Sequence, residues 1–208
     1  PTMPEITIYT DGSALGNPGP GGYGAVLISG RFRKEVSQGY RLTTNNRMEL
    51  LAVCVALEML KFEGSDVTIY SDSKYVVDAV EKRWVFGWEK KGFAGKKNPD
   101  LWSRFLRSYR RHKVRFVWVK GHADTVENNR CDQLAVAAAN DRAHLLEDTR
   151  VCSGQWRVSH IKRIKSPETR RNVPRLFKKL SGHTAARTRD GIALLTSCSY
   201  LYLTYFRT

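Results

Sequence analysis

Four acidic residues lie near the ends of predicted strands and helices, where side chains from distant parts of the chain can meet. Asp11 stands where the first predicted strand stops, and Asp72 ends the fourth. Glu49 lies in the first turns of the first long helix, and Asp132 lies early in the last helix. Each acid alone has an ordinary explanation, because Asp is common in turns and acidic side chains stabilise helix N-termini.

Taken together, the four acids predict a site for divalent cations. If the first and fourth strands are central neighbours, their carboxyl ends meet at one edge of the sheet, and Asp11 lies close to Asp72. Crowded carboxylates repel one another unless a cation offsets their charge. Oxygen ligands suit Mg²⁺ or Mn²⁺, and the lack of a Cys/His set disfavours zinc. Two such ions about 3.5–4 Å apart can support an in-line phosphoryl displacement, so we predict phosphoryl-transfer chemistry.

Hydrophobic periodicity predicts the elements that position these acids. A period of two residues between turn signals marks strands, and a period of about 3.6 marks helices. The predicted strands cover residues 6–10, 23–29, 31–42, 67–70 and 114–119. The predicted helices begin near residues 46, 75, 99 and 128, with Ser73 as the expected N-cap of the second. The order β-β-β-α-β-α-α-β-α predicts the α/β class, with one five-stranded mixed sheet flanked by helices.

The charge of the chain indicates a polyanionic partner. The 208 residues include 35 Lys and Arg against 20 Asp and Glu, and the net charge of +15 favours nucleic acid through counterion release. No apolar run has the length of a bilayer span, and residues 1–8 lack the pattern of a secretory signal, so we expect no membrane partner. The four cysteines lack CxxC or metal-type spacing, and we expect reduced thiols in a cytoplasmic protein.

The composition changes near residue 143. Residues 141–208 hold 14 Lys and Arg against 5 Asp and Glu, with few strand or helix patterns before Ile192. We therefore predict a folded domain over residues 1–143 and a basic, partly disordered C-terminal extension over residues 144–208. The extension is either an arm that adds nonspecific affinity for nucleic acid or a segment without a selected role. The apolar run 192–206 is short for a membrane span, and we expect a docked strand or helix there.

Four short motifs follow one another in order along residues 4–143. They are Thr10-Asp11-Gly12-Ser13, Thr43 to Leu50, Ser71 to Val76, and Trp118 to Ala123 followed by Glu127 to Asp132. In this order and spacing they resemble bacterial type 1 ribonuclease H. The resemblance implies the ribonuclease H fold, in a monomer that hydrolyses the RNA strand of RNA–DNA hybrids. It also implies a two-metal-ion mechanism that leaves 5′-phosphate and 3′-hydroxyl ends, with two Mg²⁺ ions, or Mn²⁺ in their place, when substrate is bound.

The resemblance assigns the catalytic roles to individual residues. The metal-binding acids it implies are Asp11, Glu49, Asp72 and Asp132. His122 assists proton handling or product departure, as the histidine at this place does in the family. The segment Asp124-Thr125-Val126 departs from the Gly-His-Pro of the family in the same loop.

The resemblance also implies substrate contacts. Gly12, Asn17, Asn45 and Lys74 are expected on the RNA strand, where Lys74 replaces the glutamine of the family. Thr44 is expected on a phosphate of the DNA strand. The remaining expected contacts are Trp84, Lys90, Lys91 and Asn128.

Two segments admit both a functional and a structural interpretation. The Gly-rich turn from Gly12 to Gly22 lets backbone groups approach a ribose, whose 2′-hydroxyl distinguishes RNA from DNA, but the glycines alone favour a simple hairpin loop. The Lys/Trp-rich segment 82–97 resembles the basic protrusion that grips the DNA strand in bacterial members. Alternatively, it is an amphipathic helix with Trp84 and Trp88 packed inward.

Two other functions stay open. A DNA-processing nuclease of the same fold needs the same acids but not the Gly-rich turn or the Thr-Thr-Asn-Asn segment. A nucleic-acid-binding module without catalysis is disfavoured, because a pure binder gains nothing from crowding carboxylates beside phosphates.

Overall fold

A computed structural model of the protein describes residues 5–121, 126–148, 184–188 and 191–195. The chain divides into two compact units between Leu146 and Glu147. In the second unit the described residues form an antiparallel hairpin of two strands, Thr184–Thr188 and Gly191–Leu195. The rest of the predicted basic extension beyond residue 148 lies outside the described residues.

The first unit contains one mixed sheet. Its strands are β1 (Glu5–Ala14), β2 (Gly19–Ser29), β3 (Phe32–Thr43), β4 (Asp66–Ser71) and β5 (Lys113–Trp118). Strands β1, β2 and β3 form an antiparallel meander, whereas β4 pairs with β1 and with β5 in parallel. The resulting order is β3-β2-β1-β4-β5, so β1 and β4 are central neighbours and the predicted five-stranded mixed sheet is confirmed.

Five helices accompany this sheet in the described part of the first unit. They are α1 (Asn45–Glu58), α2 (Lys74–Glu81), α3 (Trp84–Lys90), α4 (Pro99–Tyr109) and α5 (Val126–Asn140). None of the described helices is both long and apolar enough to cross a bilayer. Helix α1 is buried along most of its length, from Arg47 to Leu57, and packs on β1, β2 and α4.

Glycines show that α1 and α5 cover opposite faces of the sheet. A Cβ atom at Gly12 of β1 would meet the backbone of α1, and one at Gly24 of β2 would meet α5. Gly12 pairs with Tyr23, so its side of the sheet is opposite to that of Gly24. Helix α5 covers β1, β2 and β3, and the apolar core lies between the sheet and α1, α2 and α4.

The predicted number of helices and the predicted end of the first strand were wrong. Three helices, not two, lie between β4 and β5, because Arg83 adopts a left-handed conformation (φ 59°) that separates α3 from α2. The first strand does not stop at Asp11 either. It continues to Ala14 because its antiparallel pairing with β2 extends to Ala14 and Gly21, although its parallel pairing with β4 ends at Thr10.

Candidate active site

Strand register brings two of the predicted acids together. The last pair in the parallel ladder between β1 and β4 is Thr10 with Ser71. Asp11 and Asp72 are the next residues on each chain, so both leave the ladder at the same level. Because side chains alternate along strands, both point to the sheet face that α5 partly covers. The carboxyl ends of two parallel strands therefore present two carboxylates side by side.

A close approach between α1 and β1 adds the third acid. A Cβ atom at Gly12 would lie 2.5 Å from the carbonyl carbon of Met48, so any side chain there would force the helix away. The absence of a side chain lets the first turns of α1 pack directly on the strand. Glu49 follows Met48, and the close packing places its carboxylate beside Asp11.

The three carboxylates of Asp11, Glu49 and Asp72 form a compact cluster. One oxygen from each lies within 4.8 Å of the others. Asp11 and Glu49 are 7% and 5% exposed, and Oε2 of Glu49 is buried without a hydrogen-bond partner. Buried carboxylate oxygens that lack donors are costly unless a cation satisfies them. The donor set therefore fits a hard divalent ion such as Mg²⁺.

The electrostatics of the cluster agree with this interpretation. Burial, followed by the negative charge of Asp72, raises the pKa of Asp11 from 3.8 to about 7, although the main-chain N–H of Gly12 (2.7 Å) opposes the shift. Burial and the charges of Asp11 and Asp72 raise the pKa of Glu49 well above its ordinary value. Without a cation, the cluster therefore holds protons near neutral pH, and a divalent ion would displace them.

Asp132, the fourth predicted acid, lies near this cluster but is not part of the group of three. It is half-buried on α5, and its charge contributes to the raised pKa of Asp11. Ion pairs fix the first turns of α5 on β3: Arg33 with Glu127 at 2.8 Å and Arg130 with Glu35 at 2.9 Å. The structure thus holds Asp132 on a well-anchored helix, close enough for its charge to act on Asp11.

The residues expected on the RNA strand occupy different environments. Asn17 is exposed and accepts a hydrogen bond at Oδ1 from the main-chain N–H of Asn45 (3.3 Å). Lys74 is exposed, with Nζ 5.0 Å from the centre of the Trp118 ring. Gly12 is buried against α1, so helix packing accounts for this glycine. Asn17, Asn45 and Lys74 are therefore open to a ligand, whereas helix packing explains why Gly12 has no side chain, and its expected contact with the RNA strand stays a prediction.

Two further expected contacts have their own structural settings. Thr44 is the N-cap of α1, and its hydroxyl accepts a hydrogen bond from the N–H of Arg47 (3.3 Å). Asn128 is only 2% exposed on the buried side of α5, and its Oδ1 has no hydrogen-bond partner among the described residues. His122 lies outside the described residues, so its role stays a prediction.

The segment 82–97 forms a basic and aromatic surface. Trp84 is 48% exposed, with Nζ of Lys82 5.0 Å from its ring centre, and Lys90 and Lys91 are exposed nearby. Trp88 instead packs edge-on against Trp102, with 5.7 Å between ring centres. The alternative that both tryptophans pack inward is therefore wrong for Trp84. An open cleft of about 410 Å³ is lined in part by Arg83, Trp84, Trp88, Lys91 and Lys96.

Two residues at this site were not singled out from the sequence. The indole N–H of Trp118 donates a hydrogen bond to the main-chain carbonyl of Asp72 (3.0 Å). Gly121 lies against the carboxylate of Asp72, where a Cβ atom would come within 2.5 Å of Oδ2. Both lie in the sequence motif Trp118 to Ala123. Membership of this motif was the only indication in the sequence that they belong to the site.

The strand order and the clustered carboxylates define a protein of the ribonuclease H-like fold class. The family model for RNase H matches residues 3–140, and the chain belongs to this family.

Individual relatives also support membership of the RNase H family. The chain is 57% identical over 142 residues to a protein named Ribonuclease H from Desulforamulus reducens, a match that covers 66% of this chain and 89% of the relative. It is 47% identical over 153 residues to Ribonuclease HI from Synechocystis sp., covering 71% of this chain and 95% of the relative. A solved structure, LC9-RNase H1, described as a type 1 RNase H with the type 2 active-site motif, matches with a TM-score of 0.62 and 32% identity, covering 76% of this chain and 83% of that one. The predicted bacterial type 1 ribonuclease H family and enzyme class are thus confirmed.

Proposed function

We propose that this protein is an endonuclease that hydrolyses the RNA strand of RNA–DNA hybrids with the help of divalent cations. The observation that carries the proposal is the convergence of Asp11, Glu49 and Asp72 within 4.8 Å in a chain of the RNase H family. Asp132 on α5 completes the acidic set. The products are RNA fragments with 5′-phosphate and 3′-hydroxyl ends. The monomeric state and the cytoplasmic location stay predictions.

The clustered carboxylates would hold the cations, with Mg²⁺ as the natural ion, Mn²⁺ as a substitute, and two ions when substrate is bound. When bound, such ions act as Lewis acids that stabilise negative charge on the scissile phosphate. The protein contributes a preformed set of oxygens, because register fixes Asp11 against Asp72 and helix packing fixes Glu49. His122 would carry a proton to or from the reacting groups, as a histidine can near neutral pH.

Substrate recognition would divide between two surfaces. Asn17 and Asn45, which are hydrogen-bonded to each other, and the exposed Lys74 would face the RNA strand, where the 2′-hydroxyl distinguishes ribose from deoxyribose. Thr44 would add a hydroxyl toward a phosphate of the DNA strand, and Asn128 a further amide. The basic and aromatic surface of segment 82–97 would hold the DNA strand through Trp84, Lys90 and Lys91.

A cleavage assay tests the proposal directly. A labelled hybrid, duplex DNA and duplex RNA are incubated with the protein in Mg²⁺ or in EDTA, and the products are resolved by length and end group. We expect cleavage of the RNA strand of the hybrid alone, abolished by EDTA and by Asp11→Asn, whose circular dichroism should match the wild type. Cleavage of duplex DNA would favour the DNA-processing alternative, and hybrid binding without cleavage would favour the non-catalytic module.

A further inference from the structure

The last residue of β5 and the residue after it hold the main chain at the end of β4. The indole N–H of Trp118 donates to the main-chain carbonyl of Asp72 at 3.0 Å, and the N–H of Val119 donates to the carbonyl of Ser71 at 3.0 Å. These bonds continue the β4–β5 contact by one residue beyond the paired strands. They fix the main chain at Asp72, the point from which its carboxylate must project.

Gly121 leaves space for the carboxylate of Asp72. A Cβ atom at this residue would lie 2.5 Å from Oδ2 and 3.5 Å from Cγ of Asp72. The φ angle of Gly121 is not in the left-handed region, so its backbone conformation does not require glycine. The reason for glycine is therefore space, and the group that occupies this space is a proposed metal ligand.

We propose that Trp118 and Gly121 are positioning residues for the divalent-metal site. Trp118 fixes the main chain of Asp72, and Gly121 leaves room for its carboxylate in the orientation that meets those of Asp11 and Glu49. The inference rests on the proposed function, because it concerns the same metal site.

Alanine at position 121 should act on the carboxylate more than on the fold. The atom that a new Cβ would meet is the far end of a flexible side chain, and a rotation of that side chain relieves the contact. Mg²⁺ demands near-ideal octahedral geometry, so even a modest rotation of one ligand should weaken its binding. Metal affinity should therefore fall while the protein stays folded.

Metal titration of the substrate-free protein tests this proposal. Metal-free wild type and Gly121→Ala are titrated with MgCl₂ by heteronuclear NMR and with MnCl₂ by electron paramagnetic resonance. We expect Gly121→Ala to bind Mg²⁺ roughly tenfold more weakly than the wild type, with its circular dichroism unchanged. The matched control is Gly87→Ala, since a Cβ at Gly87 meets nothing within 4 Å, and its metal affinity should equal that of the wild type.

Trp118→Phe is the second variant. If Gly121→Ala does not fold, Trp118→Phe alone tests whether the contacts to Asp72 determine the metal affinity. It removes the indole donor but keeps an aromatic ring, and we expect metal affinity several-fold below the wild type. Wild-type affinity in a folded Gly121→Ala would overturn the positioning role of Gly121, and wild-type affinity in a folded Trp118→Phe would overturn that of Trp118. Failure of the wild-type protein to bind either ion would instead refute the metal site of the proposed function, so the two failures are distinct.

Discussion

Arg47 and Asp100 form a two-point ion pair that links the helix carrying Glu49 to α4. Nη1 and Nη2 of Arg47 donate to Oδ1 and Oδ2 of Asp100 at 3.2 and 3.0 Å, and the arginine side chain is only 9% exposed. Nη1 also donates to the side-chain oxygen of Asn98 at 3.2 Å. Since Arg47 lies in the first turns of α1, two residues before Glu49, the pair anchors the end of the helix that enters the site.

Removal of this arginine should destabilise the protein strongly. Arg47→Met leaves the half-buried Asp100 carboxylate without its principal cation, which costs about 3 kcal/mol in comparable buried pairs. Urea denaturation measures the change in the free energy of unfolding. The control is Arg110→Met, which breaks the more exposed pair with Glu89 and should cost no more than about 1 kcal/mol. If both substitutions lowered the free energy of unfolding equally, the buried pair would stabilise the protein no more than the exposed pair does.

Gly24 should tolerate no side chain, because α5 rests on it. A Cβ there would meet the carbonyl oxygen of Cys131 and lie 2.8 Å from Cβ of Leu134. Gly24→Ala must therefore displace α5, which carries Asp132, and we expect a loss of about 1–3 kcal/mol in unfolding free energy. Gly87 lies on α3, where a Cβ would meet nothing within 4 Å. Gly87→Ala should therefore leave the free energy of unfolding unchanged or raise it by up to about 1 kcal/mol. Thermal and urea denaturation compare the two, and a stable Gly24→Ala would contradict the close packing.

The sheet was predictable because its strands carry alternating apolar residues. The prediction that Asp11 meets Asp72 assumed that β1 and β4 are central neighbours, and the strand order confirms this assumption. The end of β1 was not predictable from the sequence. The last residues of β1 pair with the segment Gly21 to Gly24 of β2, where glycines without side chains obscure the apolar alternation that marks a strand. The boundary between α2 and α3 depends on the left-handed conformation of Arg83, a residue type that rarely adopts it.

The contacts that orient Asp72 could not be read from the sequence either. Trp118 looks like an ordinary strand residue, and its hydrogen bond to the Asp72 carbonyl exists only because β5 lies beside β4. The same applies to Gly121, whose role depends on a side chain 49 positions earlier in the chain. Residue types indicated the chemistry, whereas tertiary contacts determine the orientation of each group.

The metal-free protein should lose stability as pH rises from about 4 to 7. Over this range folded Asp11, with its pKa raised to about 7, binds a proton that the unfolded chain, with a pKa near 3.8, has released. Unfolding thus becomes easier with rising pH, by at most about 4 kcal/mol for a shift of this size. Thermal denaturation in EDTA from pH 5 to 8 should show a smaller decline for Asp11→Asn than for the wild type. If the thermal stability of the wild type and of Asp11→Asn declined equally between pH 5 and 8, the pKa of Asp11 would not be raised.

Lys90 and Lys91 should contribute to hybrid binding through charge alone. Each phosphate contact made by a lysine makes the slope of log affinity against log salt concentration more negative by about 0.9. In an Asp11→Asn background that prevents cleavage, Lys90→Ala with Lys91→Ala should make the negative slope shallower by about 2 and weaken binding at low salt. Fluorescence anisotropy with a labelled hybrid, repeated at several KCl concentrations, measures this slope. Lys61→Ala, an exposed lysine after α1, is the control and should leave the slope unchanged. If the double substitution also leaves the slope unchanged, the DNA strand does not lie on the surface formed by segment 82–97.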